Sequence, residues 1–477
     1  MSRLSRLSRR EFLKSSTIAA GLTVIPWRPT YSQGQSAATS YAANEKLNIA
    51  GIGVGGRGGG HVEPSLQENL VAVCDTAQAA VDGCLRRVER FYKDQNANKP
   101  LPERFSDYRE LFDKKGKQLD AVFVATPDHH HAPASLLAIR AGKHVYCEKP
   151  LTHDIDEARQ MTLAAREHKV ATQLGNQGRA EEGWRLLCEI IWAGMIGHVT
   201  EVHVWTDRPG IPSRFWWPQG GARPAGADPV PAGLNWDAWL GPAPERPYLD
   251  VYKEGKFQGK RVYTPFVWRG WWDFGTGALG DIGCHSISGI FSALKIEHAA
   301  ATWLVKDSGD TTEEMFPSSS IIGWEIPERS TMPPCKLFWY DGGYYPPRDV
   351  GELAEGKEYA DNGAIVVGDK GKLTLHGGTP RLLPEAKMKD FQKPAPLIPR
   401  CESDHFREWV AACKGGQPAF SNFDHAGPLT ELVLLGNLAL RAGIGQRVEW
   451  DGPNLRCTNR PELNQHVKRE YRQGWTR

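Results

Sequence analysis

A glycine-rich segment in the first part of the chain has the residue types that cradle a phosphate. Residues 47–52 form a short apolar run typical of a buried strand, and Gly53, Gly55 and Gly58 follow it in a G-x-G-x-x-G pattern. The first glycine of such a loop permits a tight turn, the second lets backbone approach a pyrophosphate, and the third lets a helix pack closely. A register shifted two residues toward the N-terminus also fits. We favour the later register because it leaves a longer strand before the turn.

An acidic residue, Asp75, lies at the spacing from the glycine loop that is typical of a dinucleotide site. The run 70–74 predicts a second strand, which ends at Asp75, 22 residues after Gly53. A carboxylate there can hold the ribose hydroxyls of an adenine dinucleotide and would repel a 2′-phosphate, so it favours NAD over NADP. The alternative is that Asp75 caps the helix that begins after Thr76.

A lysine follows a later strand end. Strands are predicted at 120–125, 144–147 and 170–177, with a helix over 132–141. Strands that alternate with helices build a parallel sheet, and side chains at the carboxyl ends of its strands share one crevice. In a half-buried crevice Lys149 can stabilise negative charge or exchange a proton. A solvated lysine is the alternative.

A second group of reactive residue types lies in the C-terminal half. Asp281 and His285 are four residues apart, so on a helix they share one face. A histidine can act as a general base, and a carboxylate can orient it. Taken alone, such a pair is more often an ordinary pair on a helix surface.

Shortly before this pair stand Arg269, Trp271 and Trp272. A guanidinium fork beside aromatic faces suits a sugar, because the fork donates hydrogen bonds while the rings stack on apolar sugar faces. Packing in the domain core is the alternative for the two tryptophans.

The histidines and cysteines of the chain do not have the spacing of a metal site. His129, His130 and His131 are consecutive, and adjacent side chains in a turn point in different directions, so no common metal ion is expected. The nine cysteines are scattered without a CxxC pair, which argues against both a disulfide scaffold and a thiolate metal site.

These motifs, in this order, resemble those of the Gfo/Idh/MocA family of sugar and polyol dehydrogenases. The resemblance rests on Ala-Thr-Pro-Asp-His-x-His-Ala at 125–132, Glu-Lys-Pro at 148–150 and Asp-x-x-x-His at 281–285, and it extends over essentially the whole chain after residue 43. It implies an NAD(P)-dependent oxidoreductase acting on a small-molecule carbohydrate. In this family an open sheet often supports dimers or tetramers, so a homo-oligomer is expected.

The resemblance also implies roles for single residues. Lys149 would orient or activate the reacting hydroxyl, His285 would accept its proton, and Asp281 would orient the imidazole or bond a neighbouring substrate hydroxyl. Arg269, Trp271 and Trp272 complete the expected substrate contacts. The expected cofactor contacts are Gly53, Gly55, Gly56, Arg57, Gly58, Asp75, Thr126, Pro127, His129, His131, Glu148, Lys149 and Asn176.

Length and composition set the overall organisation. The chain has 477 residues, a net charge of +2 and no apolar run long enough to span a bilayer, so neither a nucleic-acid partner nor a membrane span is expected. We predict a Rossmann domain over 44–177 and an α+β domain with an open, mostly antiparallel sheet over 178–477. The Trp-, Pro- and Gly-rich residues 206–265 are expected to form a long ordered excursion over the site.

Residues 1–43 have the features of an export signal and linker. Arg9 and Arg10 precede Phe12 and a short apolar stretch at 18–25, an arrangement similar to a twin-arginine signal. A disordered basic N-terminus is the alternative. Export of the folded protein would allow it to acquire a dinucleotide in the cell and to act in the periplasm.

These residues are compatible with three functions. The first is a dehydrogenase with a tightly held NAD. The second is an NAD-dependent glycosidase that works by transient oxidation, elimination of the aglycone, addition of water and reduction. The third is a sugar-binding protein without catalysis. The intact glycine loop together with Lys149, Asp281 and His285 favours an enzyme.

Overall fold

The structure, a computed structural model, describes residues 45–376, 378–401 and 403–476. The predicted leader, residues 1–43, lies outside the described residues. Among the helices of the described part, none is long and apolar enough to cross a bilayer.

Six parallel strands form the first sheet. They are β1 (Asn48–Ile52), β2 (Asn69–Cys74), β3 (Glu103–Phe105), β4 (Ala121–Val124), β5 (His144–Glu148) and β6 (Thr172–Gly175). Their order in the sheet is β3-β2-β1-β4-β5-β6. Most of their residues are buried, as expected for a parallel sheet covered on both faces. The order of the strands reverses between β1 and β4, and ligands of such sheets bind in the crevice at that point.

Helices follow these strands and cover the sheet. They are α1 (Gly59–Ser65), α2 (Gln78–Asp94), α3 (Tyr108–Lys115), α4 (His131–Arg140) and α5 (Ile155–His168). The start of α5 is defined by a capping box, in which the Asp154 carboxylate accepts the Glu157 amide at 2.7 Å while the Glu157 carboxylate accepts the Asp154 amide at 3.2 Å.

The later strands build a second, open sheet. They are β7 (Val199–Trp205), β8 (Gly210–Ile211), β9 (Arg214–Phe215), β10 (Ala301–Asp307), β11 (Ser320–Ile326), β12 (Cys335–Tyr340), β13 (Gly363–Gly368), β14 (Lys372–His376), β15 (Thr379–Leu383), β16 (Arg447–Asp451) and β17 (Arg456–Cys457). Nine of them form the sheet in the order β15-β14-β13-β7-β12-β11-β10-β16-β17, and β8 pairs with β9 separately. All neighbours in the large sheet are antiparallel except β7 and β12. The predicted fold class is therefore confirmed.

Six further helices follow along the chain. They are α6 (Gly183–Trp192), α7 (Trp236–Leu240), α8 (Gly277–Ser286), α9 (Ser288–Ala293), α10 (His405–Cys413) and α11 (Phe423–Ala442). The helix α11 packs against α5, α8 and β10, so it joins the two sheets. At Gly436 of α11 an added Cβ would lie 2.5 Å from both the Leu279 side chain on α8 and the Trp324 ring on β11. This close approach sets the position of α8, which carries Asp281 and His285.

The chain after β7 makes the predicted excursion, and it is ordered by an aromatic core. Trp236 and Trp239 stack at 4.7 Å between ring centroids, and Tyr263 packs on Trp271 at 4.9 Å. These rings belong to a buried cluster that also includes Phe274. The excursion therefore has its own core and is held at the crevice of the first sheet.

We expect Gly436→Ala to lower the free energy of unfolding by about 1–3 kcal/mol, because the added methyl group overpacks the contact between α8, α11 and β11. Denaturant unfolding followed by circular dichroism would measure the change. The matched control is Gly83→Ala on α2, where the nearest heavy atom lies 3.8 Å from an added Cβ. Since alanine favours helix over glycine, this control should be neutral or stabilising. Equal stability of the two variants would contradict the packing argument.

Candidate active site

The glycine loop between β1 and α1 has the backbone that its sequence predicts. Gly53 has a φ of +79°, and a Cβ there would lie 2.7 Å from the Ala125 carbonyl group. A Cβ on Gly58 would lie 1.8 Å from the Gly53 carbonyl oxygen. At Gly56 nothing lies within 4 Å of an added Cβ, so backbone is open to a ligand at this point. Close backbone packing therefore requires glycine at Gly53 and Gly58, while the loop is open to a ligand at Gly56.

Asp75 follows β2 and is bonded to this loop. Its Oδ2 accepts the amides of Val54 at 3.0 Å and Gly55 at 3.2 Å, and its Oδ1 accepts the amide of Ala77 at 3.0 Å. Burial raises the pKa of Asp75, while these three amides act to lower it. The carboxylate both orders the loop and lies where ribose hydroxyls are expected.

One continuous cleft, with a volume of about 420 Å³, connects the loop to the predicted catalytic lysine. Its lining includes Gly53, Gly55, Gly56, Arg57, Asp75, Thr126, Pro127, Glu148, Lys149 and Arg269. Most of the predicted cofactor contacts thus share one cavity with Lys149.

Glu148, the last residue of β5, is held by a dense set of donors. Its Oε1 contacts Arg57 Nε at 3.0 Å, His61 Nε2 at 2.7 Å and Gln177 Nε2 at 2.9 Å. Burial raises the pKa of Glu148, but the hydrogen bond with His61 and the charges of Arg57 and Lys149 outweigh it and lower the pKa to about 2. Its Oε2 is buried and makes no hydrogen bond with a described residue.

Lys149, Asp281 and Arg269 meet at a single oxygen. Asp281 Oδ1 accepts from Lys149 Nζ at 2.6 Å and from Arg269 Nε at 2.7 Å. Burial acts to raise the pKa of Asp281, but the two cations outweigh this and hold it well below its usual range. Asp281 is therefore ionised. Its carboxylate holds the Lys149 and Arg269 side chains beside α8. No hydrogen bond joins Asp281 to His285 among the described residues, and the other role expected for Asp281, a bond to a substrate hydroxyl, stays a prediction.

His285 lies one turn after Asp281 on α8, as the spacing predicts, and its side chain is exposed. It makes no hydrogen bond with any residue that the structure describes. The surrounding protein removes part of the water around the imidazole. This loss of solvation, together with the charge of Lys149, lowers the pKa of His285 to about 4. The imidazole is neutral at pH 7 and free to accept a proton.

The three consecutive histidines are structural. His129 contacts the carbonyl oxygens of Phe274 and Trp239, and His131 those of Pro150 and Thr126. Both rings are buried behind the cleft, whose lining includes His130 instead. The expected contacts of His129 and His131 with the cofactor are thus replaced by hydrogen bonds that hold the loops around it.

Asn176 is also placed behind the cleft. Its side chain donates to the Cys284 carbonyl oxygen at 3.3 Å and to Ser288 Oγ at 3.2 Å, and it accepts from Ser421 Oγ at 2.6 Å. It ties the end of β6 to α8 and α9 and is fully buried. Its predicted role as a cofactor contact gives way to a role in positioning α8.

The two tryptophans predicted as substrate contacts belong to the packing of the protein. Trp271 is completely buried and donates from Nε1 to the Val262 carbonyl oxygen at 2.7 Å. Trp272 packs on Phe316 and lies under the Arg441 guanidinium at 3.7 Å. The core alternative is correct for Trp271, because a ring without exposed surface cannot stack on a sugar.

The aromatic surface in the cleft comes from residues that the sequence analysis did not single out. Phe266 is 45% exposed, lines the cleft and lies 4.2 Å from the Arg269 guanidinium. Its φ of +72° is a left-handed conformation that costs energy in a non-glycine residue. The only sequence signal was its position three residues before Arg269.

Asp128 is a further buried acid near the site. Its Oδ2 accepts from Thr276 Oγ1, at the start of α8, at 2.7 Å. Burial raises the pKa of Asp128 to about 7, against the lowering effect of Arg269. It therefore links the loop after β4 to α8.

The residues present fit an NAD dinucleotide. The loop leaves its backbone open at Gly56, where a pyrophosphate could approach, and Asp75 lies in the lining of the same cleft, where it can bond ribose hydroxyls.

Two family models match the chain. Residues 47–176 match an oxidoreductase family, NAD-binding Rossmann fold, and residues 184–313 match the C-terminal alpha/beta domain of the same family. Together they cover more than half of the chain, and it belongs to the Gfo/Idh/MocA oxidoreductase family. The predicted family and its NAD-binding Rossmann domain are thus confirmed.

Similar proteins include enzymes of two kinds. An alpha-N-acetylgalactosaminidase from Shewanella oneidensis is 32% identical over 213 residues, which are 41% of this chain and 45% of that protein. A 1,5-anhydro-D-fructose reductase from Ensifer adhaerens is 43% identical over 79 residues, which are 17% of this chain and 24% of that protein. The chain spans less than half the length of each of these relatives.

A solved structure shares the fold. The WlbA dehydrogenase from Bordetella pertussis, crystallised with NADH and UDP-GlcNAcA, superposes with a TM-score of 0.54 at 16% identity over 85% of this chain and 99% of that chain.

We expect the pKa of His285 to lie near 4, well below 6.5, so that the base-competent neutral form persists down to about pH 5. Nuclear magnetic resonance titration would measure it, with the resonance assigned by its loss in His285→Asn. In Lys149→Met the pKa should rise, because the positive charge that lowers it is removed. A value at or above 6.5 in the unsubstituted protein would contradict this description of the site.

We expect Phe266→Ala to weaken binding of a sugar ligand about fivefold, since a stacking aromatic ring contributes on the order of 1 kcal/mol. KM should rise while NAD binding is retained. Phe215→Ala is the matched control, because Phe215 is equally exposed but lies outside the cleft lining. An unchanged KM in Phe266→Ala would remove this residue from the substrate site.

Proposed function

We propose that this protein is an NAD-dependent oxidoreductase that moves hydride between the nicotinamide and a CH–OH group of a sugar, polyol or glycoside. The observation that carries the proposal is the contact of Lys149 Nζ with Asp281 Oδ1 at 2.6 Å, one helical turn from a neutral His285. A fixed ammonium group and a neutral base on one face are what oxidation of a hydroxyl group requires.

Each residue has a separate part in this reaction. His285 accepts the hydroxyl proton, and Lys149 donates a hydrogen bond to the same oxygen as negative charge develops on it. Asp281 holds Lys149 and Arg269 in place and remains ionised. The glycine loop and Asp75 would hold NAD, which when bound would supply the hydride acceptor.

A second function is favoured by one specific observation, the 32% identity to an alpha-N-acetylgalactosaminidase. The same residues would serve a glycosidase in which a ring hydroxyl is oxidised transiently, the adjacent C–H becomes acidic, and the aglycone is eliminated. Water then adds and the sugar is reduced, so the net reaction is hydrolysis. His285 or a neighbouring base would remove both protons.

We also propose that the protein is exported by a twin-arginine signal and acts in the periplasm, on the basis of Arg9, Arg10 and the apolar stretch at 18–25. Free NAD is scarce outside the cytoplasm, so this location favours a cofactor that stays bound between turnovers.

Mass spectrometry of the small molecules released on denaturation tests the proposal first. Stoichiometric NAD(H) is expected. Assays with sugars and aryl glycosides then separate the two functions, because a dehydrogenase gives net NADH or a reduced second sugar, whereas a glycosidase releases aglycone without net NADH. Failure to bind either NAD or NADP in titrations would overturn both.

Lys149→Met and His285→Asn should each lower kcat at least a thousandfold, because they remove the charge and the base that act on the reacting hydroxyl. NAD content, measured on the same samples, should be unchanged. Lys117→Met and His168→Asn are controls on exposed residues outside the cleft. Full activity of either site variant would refute this assignment.

A further inference from the structure

Two segments far from the Rossmann loops in sequence border the same cleft. Leu234, Ala238 and Trp239 come from the excursion, and Trp475 comes from the end of the chain. None of them belongs to the glycine loop or to the catalytic group. Part of the cleft wall is therefore formed by two segments that lie outside the Rossmann domain.

The excursion is bonded directly beside the ribose-binding acid. Asn235 donates its amide to the Thr76 carbonyl oxygen at 2.8 Å, and Gln78 donates its amide to the Gly233 carbonyl oxygen at 2.8 Å. These two bonds lie on either side of Leu234 and follow Asp75 closely in sequence. Leu234 is thus fixed in the cleft lining next to Asp75 by backbone on both sides.

Trp475 is held by rings and a cation. Its ring lies 5.8 Å from Tyr108 and 5.5 Å from His130, between centroids, and the Arg109 guanidinium lies over it at 3.9 Å. Only 8% of the residue is exposed. Tyr108 follows β3 and His130 follows β4, so Trp475 bridges loops at the carboxyl ends of two strands.

The tail that carries Trp475 is anchored by buried charge. Arg469 donates to Glu157 Oε1 at 2.9 and 2.7 Å and to the His129 carbonyl oxygen at 2.6 Å. Breaking a buried ion pair of this kind is costly, because it leaves an uncompensated charge. The tail is therefore a fixed part of the wall.

Hydrogen bonds also join the C-terminal tail directly to the excursion. Arg472 donates its amide to the Pro242 carbonyl oxygen and its Nε to the Gly241 carbonyl oxygen, both at 3.0 Å. Gly241 and Pro242 directly follow α7, which carries Ala238 and Trp239. Movement of either segment away from the cleft would break contacts of the other.

We propose that Leu234 and Trp475 form a cover that retains the dinucleotide as a resident cofactor. The inference rests on the proposed function and adds to it two binding residues outside the family motifs. Backbone hydrogen bonds hold Leu234 in place, and contacts with Tyr108, His130 and Arg109 hold Trp475. These two apolar side chains exclude water from the ligand. Departure of the ligand then requires these anchored segments to separate, which makes release slow.

The test is the rate at which bound NADH leaves. Protein loaded with NADH is mixed with excess NAD, and the decay of NADH fluorescence is followed. We expect Trp475→Ala to speed release at least tenfold and to lose NAD(H) during gel filtration. Trp475→Phe should restore much of the retention, because it keeps an aromatic ring. Phe215→Ala, outside the cleft lining, should release NADH like the unsubstituted protein.

Leu234→Ala gives an independent arm, because Leu234 is partly exposed and its loss should leave the fold intact. It is also expected to speed release, and circular dichroism confirms folding of each variant. Unchanged release rates in a folded Leu234→Ala or Trp475→Ala variant would overturn the cover while leaving the proposed function standing. Absence of dinucleotide binding by the unsubstituted protein would instead overturn the proposed function, and the cover with it.

Discussion

The contact on which the rest of the site depends is the Asp281 carboxylate shared by Lys149 and Arg269. It joins the end of β5 in the first sheet to α8 beside the second sheet. Three charged side chains meet there, each only 8–13% exposed, and removing any one of them from water alone would carry a large cost. The two halves of the molecule must therefore meet at this point for any of the three side chains to be accommodated.

The packing around this contact explains why it forms. The helix α11 lies between the sheets, and Gly436 lets it approach α8 closely. Asn176 and Asp128 hold α8 from the loops after β6 and β4. The helix α10 packs Phe406 against Tyr146 of the first sheet. The later part of the chain is thus built into the Rossmann half, and α8 is positioned from several directions.

This construction separates two tasks. The loop residues at the carboxyl ends of β1 and β2 can hold a dinucleotide, whereas α8 and β5 supply a fixed cation and a neutral base. Partial loss of solvation and the charge of Lys149 lower the pKa of His285, and the cations lower that of Asp281, so the two side chains keep opposite roles at neutral pH. A hydroxyl group between His285 and Lys149 would meet a proton acceptor and a positive charge.

The sequence alone determined five of the six strands of the first sheet, all but the edge strand β3, together with the glycine loop, the position of Asp75 after β2, and the placement of Asp281 and His285 on one helix. These features depend on residues close in sequence, whose periodicity and spacing follow local backbone geometry. Only the tertiary structure decided that Trp271 is core, that His129 and His131 hold loops, and that Phe266, Leu234 and Trp475 line the cleft. Burial of a side chain depends on segments hundreds of residues away, and no local pattern contains that information.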